Sequence, residues 1–548
     1  MYTLYFRLIF DKTYLNSLII FDIIWRYYSY LYLNNEVLRL ATNKNLKIDE
    51  GNFDHRRQTI GLFGAPLLAL AVYLMPIAGL TDAGHTLLAI MTLVSLWWIT
   101  EPVPIPVTSL LGPSLAVVFG VIPIKEGFAP FASPIIFLFM GGFILAKAMM
   151  VHGLDKRFSF GLLSMKWVGS SPTRIFLAIG LATMLCSGWV SNTATAAMMM
   201  PIAMGLLLAI KEMFAANGKE INLHEYKYAT GLMLMTAYAA SIGGVLTPIG
   251  TPPNLIMLGF LDQMADIHIS FFDWMTWGFL AMVLYFAITY VLLKKLFPAD
   301  VDHIEGAQEL IAAKVKELGG WTRGQKNTAI AFSLAVFLWV LPGIMSIVLG
   351  SDSPILKTYN KILPESMVAM LAALLLFVLP TDWKARKYTL KWKEAVDGIE
   401  WGTLLLFGGG LSLGHMMYVT GLSKWIGAGI TSSLGEPNLL VMIAVFSLLS
   451  LFLSELASHT AATNMVGPLG ITAALSAGFD PTPVAVAIAL SASLGFMLPV
   501  STPPNAIVYA SGFVPITKMI RTGFIIDLIG IFLITIPIVV YFVTWILS

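Results

Sequence analysis

Long apolar runs alternate with short polar interruptions along most of the chain. Most runs from Gly61 onward approach the length of about 20 residues that a helix needs to cross a bilayer. They predict membrane spans at residues 61–80, 84–100, 104–122, 134–152, 228–248, 254–262, 273–296, 328–349, 365–380, 400–420, 482–500, 504–512 and 522–547. The pattern predicts an all-α polytopic membrane protein.

Two of the polar interruptions are copies of one another. Ser-Gly-Trp-Val-Ser-Asn-Thr at 187–193 returns as Ser-Glu-Leu-Ala-Ser-His-Thr at 454–460. We call the triplets at 191–193 and 458–460 the first and second knots. The segments around them, 170–208 and 436–479, are too long for loops and too interrupted for single spans. They predict two re-entrant helical hairpins, because irregular backbone at membrane depth must line a cavity or be buried in protein.

Each knot is followed by a Thr-Pro-Pro-Asn motif, at 251–254 and at 502–505. Phe-Met-Gly-Gly at 139–142 likewise recurs as Phe-Gly-Gly-Gly at 407–410. Landmarks that recur in the same order indicate an internal repeat. We therefore expect two membrane repeats, at residues 58–296 and 327–548, joined by a charged cytoplasmic linker at 297–326. Residues 1–57 are expected to form an N-terminal extension that is interfacial or poorly ordered.

Lysine and arginine are distributed unequally around the knots. Basic residues flank the first knot and fill the linker, whereas none occurs between Lys424 and Lys518, a range that contains the second knot. Because cytoplasmic loops carry the excess of basic residues, hairpin 1 is predicted to face the cytoplasm and hairpin 2 the outside of the inner (plasma) membrane. The repeats are thus predicted to be inverted, as in many alternating-access transporters.

Composition excludes several classes of function. Only 12% of the 548 residues are charged, about half the share of a soluble domain. The net charge of +2 is spread over short loops, so no nucleic-acid surface is predicted. The single cysteine, Cys186, allows neither an internal disulfide nor a cysteine-based metal site. Because no His-Glu-x-x-His or nucleophile-elbow motif occurs, an enzyme is not predicted.

The residue types of the knots and of the proline motifs indicate that this part of the protein binds ions. Hydroxyl, amide and carbonyl oxygens suit a hard cation such as sodium. Two successive prolines break a helix and leave a new helix N-terminus, whose bare N–H groups attract anions. No lysine or arginine occurs in the stretches 175–210, 228–293 and 425–517. Because burying an uncompensated anion costs several kcal/mol, co-bound cations are the expected source of compensating charge. The sequence predicts a cation-coupled anion transporter.

These motifs resemble those of the divalent anion/sodium symporter family, which carries dicarboxylates, citrate or sulfate. The resemblance extends over about residues 58–548 and includes Trp-Trp-Ile-Thr-Glu at 97–101. It implies a homodimer in membrane lipid, about eleven transmembrane helices per protomer plus the two hairpins, and an inverted-repeat elevator mechanism. In such a mechanism a transport domain slides against a dimeric scaffold.

The resemblance also implies site residues. One sodium site would use Ser187, Ser191, Asn192 and the carbonyl of Gly250, and a second would use Ser454, Ala457, His459 and Ser501. The substrate would lie between the knots and touch Ser191, Asn192, Thr193, Thr251, Pro252, Ser458, His459, Thr460, Thr502 and Pro503.

His459 departs from the family pattern, which usually has asparagine at this position. An imidazole nitrogen is a poor ligand for sodium, whereas it donates hydrogen bonds and carries protons near neutral pH. We therefore expect altered coupling at the second site, with a proton partly replacing sodium. The histidine form is also similar to that of a phosphate-permease branch of the wider superfamily.

The expected function is secondary active transport of a small divalent anion with sodium. The substrate expected first is a C4-dicarboxylate such as succinate, malate or fumarate. Inorganic phosphate or sulfate is an alternative substrate, because serine and threonine hydroxyls bind carboxylates and tetrahedral oxyanions alike. A dicarboxylate exchanger without net sodium coupling and an anion channel are alternative modes of transport.

Overall fold

The computed structural model describes residues 50–434 and 438–543. Residues 1–49 of the predicted N-terminal extension lie outside the described residues. The first half forms α1 (Glu50–Leu74), α2 (Asp82–Thr100), α3 (Ile105–Val118), α4 (Ile124–Phe128), α5 (Pro134–His152), α6 (Leu154–Leu163), α7 (Pro172–Ser187), α8 (Asn192–Ala216), α9 (Lys227–Gly244), α10 (Pro252–Ala265) and α11 (Phe271–Leu296).

The second half begins after a helix of the linker, α12 (Ala307–Glu317). It contains two short antiparallel strands, β1 (Pro380–Asp382) and β2 (Lys387–Tyr388), which the sequence did not predict. Its helices are α13 (Arg323–Leu349), α14 (Pro354–Ile362), α15 (Glu365–Val378), α16 (Trp392–Gly398), α17 (Trp401–Val419), α18 (Leu422–Leu434), α19 (Leu439–Leu456), α20 (His459–Ser476), α21 (Thr482–Ala492), α22 (Pro503–Ala510) and α23 (Ile516–Ile529). Wide π-helical turns extend α23 as far as Val543.

Within the described residues, nine helical segments are long and apolar enough to cross a membrane, or ten if α14 and α15, bent by 50°, form one span. This confirms an all-α polytopic membrane protein. The count differs from the expected eleven for three reasons. Two of the nine, α8 and α19, are arms of the predicted hairpins, the predicted spans around the Thr-Pro-Pro-Asn motifs are broken into shorter helices, and α3 is only 14 residues long.

The order of elements is the same on both sides of the linker. A long helix, α5 or α17, is followed by a short helix, two helices that meet at a knot, a broken helix pair and a final long helix. Gly153 and Gly421 make the corresponding turns after α5 and α17, with φ of +65° and +77°. Glycine adopts this left-handed conformation without a Cβ penalty, which explains why both turns contain it.

The helices form two groups. Helices α7 to α11 pack with α19 to α23, while α1 to α5 pack mainly with α13 to α17. At the centre of the first group, α9 is buried from Tyr228 to Gly244. Small residues permit this, since a Cβ at Gly243 would lie 2.1 Å from the Met184 carbonyl oxygen. Where the groups meet, α10 and α20 lie against α17.

The linker is partly ordered by contacts with hairpin 1. Its Ile304 N–H donates to the carbonyl of Ser170, at 2.9 Å. Ile304, Ala307 and Ile311 are buried, so α12 presents an apolar side to the membrane part of the protein. The linker therefore lies on the same side as the base of hairpin 1.

Some predicted boundaries were wrong. The span predicted at 482–500 ends as a helix at Ala492, because the next residues form a loop that buried carboxylates hold. The span predicted at 522–547 begins earlier, at Ile516, and α1 begins at Glu50 instead of Gly61. Helices α1 and α23 extend into polar sequence that a search for apolar runs does not detect.

Candidate functional site

The first knot lies where the two helices of hairpin 1 meet. Helix α7 ends at Ser187 and α8 begins at Asn192. The Ser191 hydroxyl accepts a hydrogen bond from the Ala194 N–H and so caps α8. The Ser187 hydroxyl donates to Oδ1 of Asn192, at 2.6 Å. The break thus collects side-chain oxygens beside a helix N-terminus.

The second knot repeats this geometry in hairpin 2. Helix α19 ends at Leu456 and α20 begins at His459. The Ser458 hydroxyl accepts from the Ala461 N–H, as its counterpart does in hairpin 1. Buried His459 has an Nε2 without a hydrogen-bond partner. The second knot therefore provides a nitrogen where the first provides an amide oxygen.

The Thr-Pro-Pro-Asn motifs begin α10 and α22, with Thr251 and Thr502 in extended conformation before the first helical turn. The two asparagines make matching hydrogen bonds. The Asn254 amide donates to the carbonyls of Gly244 and Thr247, at 3.0 and 2.8 Å. The Asn505 amide donates to the carbonyls of Gly495 and Leu498, both at 3.0 Å. Each asparagine thus satisfies carbonyls that the helix break leaves unpaired, a role that the sequence did not reveal.

One cavity of about 340 Å³ brings the two knots and the two proline motifs together. All ten predicted substrate residues line it: Ser191, Asn192, Thr193, Thr251, Pro252, Ser458, His459, Thr460, Thr502 and Pro503. Gly250 and Ser501, both predicted as sodium ligands, line it as well. The remaining predicted ligands, Ser187, Ser454 and Ala457, are buried and do not line the cavity.

The facing wall of the cavity comes from α3, α5 and α17. It is mainly apolar, with Pro106, Phe139, Phe143 and Leu406, and its charged member is Glu400. Among the described residues that line the cavity there is no lysine or arginine. The predicted lack of lysine and arginine thus holds for the described residues of the three-dimensional site as well as for the linear stretches.

The donors predicted for the first sodium position are all oxygen atoms. A Cβ at Gly250 would lie 2.5 Å from the Gly244 carbonyl oxygen and 3.1 Å from that of Gly188. The backbone of Gly250 therefore approaches both carbonyls closely. A Cβ at Gly244 would in turn lie 2.7 Å from Oδ1 of Asn192, to which the Ser187 hydroxyl is bonded. Such a donor set fits a hard monovalent cation.

The second position fits sodium less well. A Cβ at Gly495 would lie 2.9 Å from Nε2 of His459 and 3.2 Å from Oγ of Ser454, so these two atoms are neighbours. The Ser454 hydroxyl donates to the Ala492 carbonyl, at 2.7 Å. The Ser501 hydroxyl donates to the carboxylate of Glu455. One of the four predicted donors is thus a nitrogen, which is a weaker ligand for sodium than oxygen.

Two buried carboxylates hold the loop between α21 and α22. Asp527 accepts from the N–H groups of Gly495 and Phe496, each at 3.3 Å. Glu455 accepts from the next two N–H groups, those of Met497 and Leu498, at 2.9 and 3.2 Å. Asp527 belongs to no sequence motif, although an acid within an apolar span is a signal of function or of a buried network.

Comparison with known proteins agrees with the motifs. The family model described as "Sodium:sulfate symporter transmembrane region" matches residues 57–547. The sodium-dependent dicarboxylate transporter SdcS of Staphylococcus saprophyticus is 35% identical over 490 residues, which cover 88% of this chain and 91% of SdcS. The SdcS of Staphylococcus aureus strain USA300 is 34% identical over 492 residues, covering 89% and 91%.

Solved structures of lower identity show the same fold. The YdaH transporter of Alcanivorax borkumensis gives a TM-score of 0.52 at 13% identity, over 83% of this chain and 98% of YdaH. MtrF of Neisseria gonorrhoeae gives 0.53 at 16% identity, over 85% and 96%. The family model and the SdcS relatives show that the chain is an integral multi-pass transporter and not an enzyme, and that it belongs to the sodium:sulfate symporter family, the divalent anion/sodium symporters that its motifs resemble.

Proposed function

We propose that this protein carries a small C4-dicarboxylate, such as succinate, malate or fumarate, across the membrane together with sodium. The observation that carries the proposal is the single cavity, lined by both knots and both proline motifs and containing no lysine or arginine among its described residues. The SdcS relatives are sodium-dependent dicarboxylate transporters, which supports this substrate class.

Helix N-termini supply the attraction for the anion. Helices α8, α10, α20 and α22 all begin at residues that line the cavity. Each N-terminus carries about half a positive charge and N–H groups without a helical partner. A C4-dicarboxylate has a carboxylate at each end, so one end is expected at Ser191 to Thr193 and the other at Ser458 to Thr460. Hydroxyls of Thr251 and Thr502 would complete the contacts.

Sodium supplies the remaining charge. The first ion would be held by Ser187, Ser191, Asn192 and the Gly250 carbonyl, and the second by Ser454, Ala457, His459 and Ser501. Because the anion has no basic partner, its affinity depends on these cations, and that dependence is the coupling. The unpartnered Nε2 of His459 supports a modified second position, in which a proton partly replaces sodium or the imidazole donates to the substrate.

The division of the helices into two groups supports alternating access. The cavity lies between them, with the knots on one side and α3, α5 and α17 on the other. We propose that the group containing both hairpins moves as the transport domain of an elevator, while the other group forms the scaffold of a homodimer. Basic residues around hairpin 1 and the linker support a cytoplasmic position for that side in the plasma membrane.

Uptake into proteoliposomes tests the proposal. Labelled succinate should accumulate with an inward sodium gradient and fail to accumulate when choline replaces sodium. Unlabelled malate and fumarate should compete. Succinate uptake that requires internal dicarboxylate and ignores sodium would instead indicate an exchanger, and flux that neither saturates nor depends on a cation would indicate a channel.

Inorganic sulfate is the second candidate substrate, since the matching family model is described as a sodium:sulfate symporter region. Phosphate belongs to the same class, because the hydroxyl-lined knots can hold a tetrahedral oxyanion. Competition of succinate uptake by sulfate, phosphate and citrate separates the candidates. Strong inhibition by sulfate or phosphate, with weak inhibition by malate, would reject the C4-dicarboxylate proposal.

A further inference from the structure

Glu400 places an acidic side chain in the wall of a cavity proposed to bind an anion. It immediately precedes α17, which begins at Trp401, and it lines the cavity together with Thr403. The Thr403 hydroxyl lies 3.1 Å from the carboxylate and donates to it. The knots and proline motifs lie on the other side of the same cavity. An anion bound there would therefore face a carboxylate.

No basic side chain neutralises Glu400 locally. Within the described ranges, no lysine, arginine or histidine lies within ion-pair distance of it, and its side chain is accessible to solvent. The hydrogen bond that the Thr403 hydroxyl donates favours the ionised carboxylate of Glu400. The N-terminus of α17 also favours the ionised form. At alkaline pH the cavity therefore contains a fixed negative charge.

We infer that Glu400 makes anion binding in this cavity depend on sodium, by opposing the anion and favouring the cation from the wall that faces the knots. The inference rests on the proposed sodium-coupled transport and assigns a coupling role to a residue of the facing wall. A carboxylate acts on the two ligands with opposite sign, because Coulomb energies follow the product of the charges. Without sodium, only the helix N-termini compensate the negative charges of Glu400 and of a bound dianion. With sodium bound, the attraction between the cation and the anion outweighs the repulsion from Glu400.

Binding by purified protein, at alkaline pH and constant ionic strength with choline replacing sodium, tests the inference. In Glu400→Gln, the affinity for succinate at low sodium should rise by about three- to tenfold, the effect of one unit charge at intermediate dielectric and separation. The sodium concentration that gives half-maximal thermal stabilisation without succinate should rise as well. Glu400→Asp keeps the charge and should behave like the parent protein.

Asp397 provides a matched control. It is exposed on α16, three positions before Glu400, and it does not line the cavity. Asp397→Asn removes the same charge nearby. It should leave unchanged both the succinate affinity at low sodium and the sodium concentration for half-maximal thermal stabilisation. The inference is overturned if Glu400→Gln changes the affinity for neither succinate nor sodium, or weakens the binding of both. It is also overturned if Asp397→Asn has the same effects as Glu400→Gln. A parent protein that binds succinate without regard to sodium would instead reject the proposed function itself, so the two failures are distinguishable.

Discussion

The hydroxyl of Ser187 donates a 2.6 Å hydrogen bond to Oδ1 of Asn192, across the break between the two helices of hairpin 1. This bond fixes the amide oxygen and leaves lone pairs of both oxygens available to a cation. The corresponding pair in hairpin 2 is Ser454 and His459, where the hydroxyl lies beside an imidazole nitrogen. Of the two proposed cation positions, only the second thus contains a nitrogen donor.

Removing the hydroxyl of Ser187 should weaken sodium dependence without unfolding the protein. In Ser187→Ala, the sodium concentration for half-maximal succinate uptake should rise by about fivefold or more, since a lost polar contact is worth about 1 to 2 kcal/mol. Thr183→Val is the control, because this buried hydroxyl bonds within α7 to the Ile179 carbonyl and does not line the cavity. Equal effects of both substitutions would show that Ser187 acts through helix packing instead of sodium.

Restoring an amide oxygen at the second knot should change the coupling. His459→Asn should lower the sodium concentration for half-maximal uptake and reduce the dependence of uptake on pH, because oxygen is a better sodium ligand and the amide does not titrate. Initial rates of uptake over a matrix of sodium concentration and pH provide the measurement. If the variant keeps the parent's dependence on both ions, His459 has no part in coupling.

The duplicated motifs make the cavity-lining residues predictable from the sequence. A knot such as Ser191 to Thr193 is polar within an apolar run, and its second copy at Ser458 to Thr460 indicates a shared role. The break at each Thr-Pro-Pro follows from proline chemistry alone. These local signals locate the cavity-facing residues because helix ends must expose N–H groups.

Residues that act across the fold gave no comparable signal. Asp527 lies 32 positions from Gly495, to whose N–H it is bonded, and no local pattern links the two. Glu400 resembles an ordinary helix-capping acid until the packing of α17 against α3 and α5 places it in the cavity wall. Tertiary packing, rather than periodicity, determines both positions.

Substituting the asparagine of a proline motif should destabilise the protein and abolish substrate binding. Asn254→Ala leaves the Gly244 and Thr247 carbonyls without this donor, at a cost of about 2 to 4 kcal/mol for two buried groups. The melting temperature in detergent should fall, and succinate should no longer raise it.

Asn327→Ala separates stability from binding. Asn327 also donates two hydrogen bonds, to the Pro380 carbonyl and to the Thr389 hydroxyl, at a position outside the cavity. Its melting temperature should fall too, while succinate still stabilises the remaining fold. Retained stabilisation by succinate in Asn254→Ala would contradict a role of this motif in forming the site.

Arg157 on α6 should control the accessibility of the linker. Its guanidinium donates to the carbonyls of Leu318, Gly319 and Gly320, which follow α12, and to the side chain of Gln325. Arg157→Ala removes all of these contacts and frees the chain between α12 and α13. Trypsin should then cleave the linker several times faster than in the parent protein, because cleavage needs local opening of the backbone.

Arg157→Lys tests whether geometry or charge holds the linker. A lysine keeps the charge but lacks the planar set of five donors, so it cannot satisfy three carbonyls and Gln325 together. We expect cleavage at a rate close to that of Arg157→Ala, measured by the appearance of the two fragments on a gel. A rate in Arg157→Lys equal to that of the parent would show that charge alone holds the linker, and unchanged cleavage in Arg157→Ala would show that the buried residues of α12 suffice.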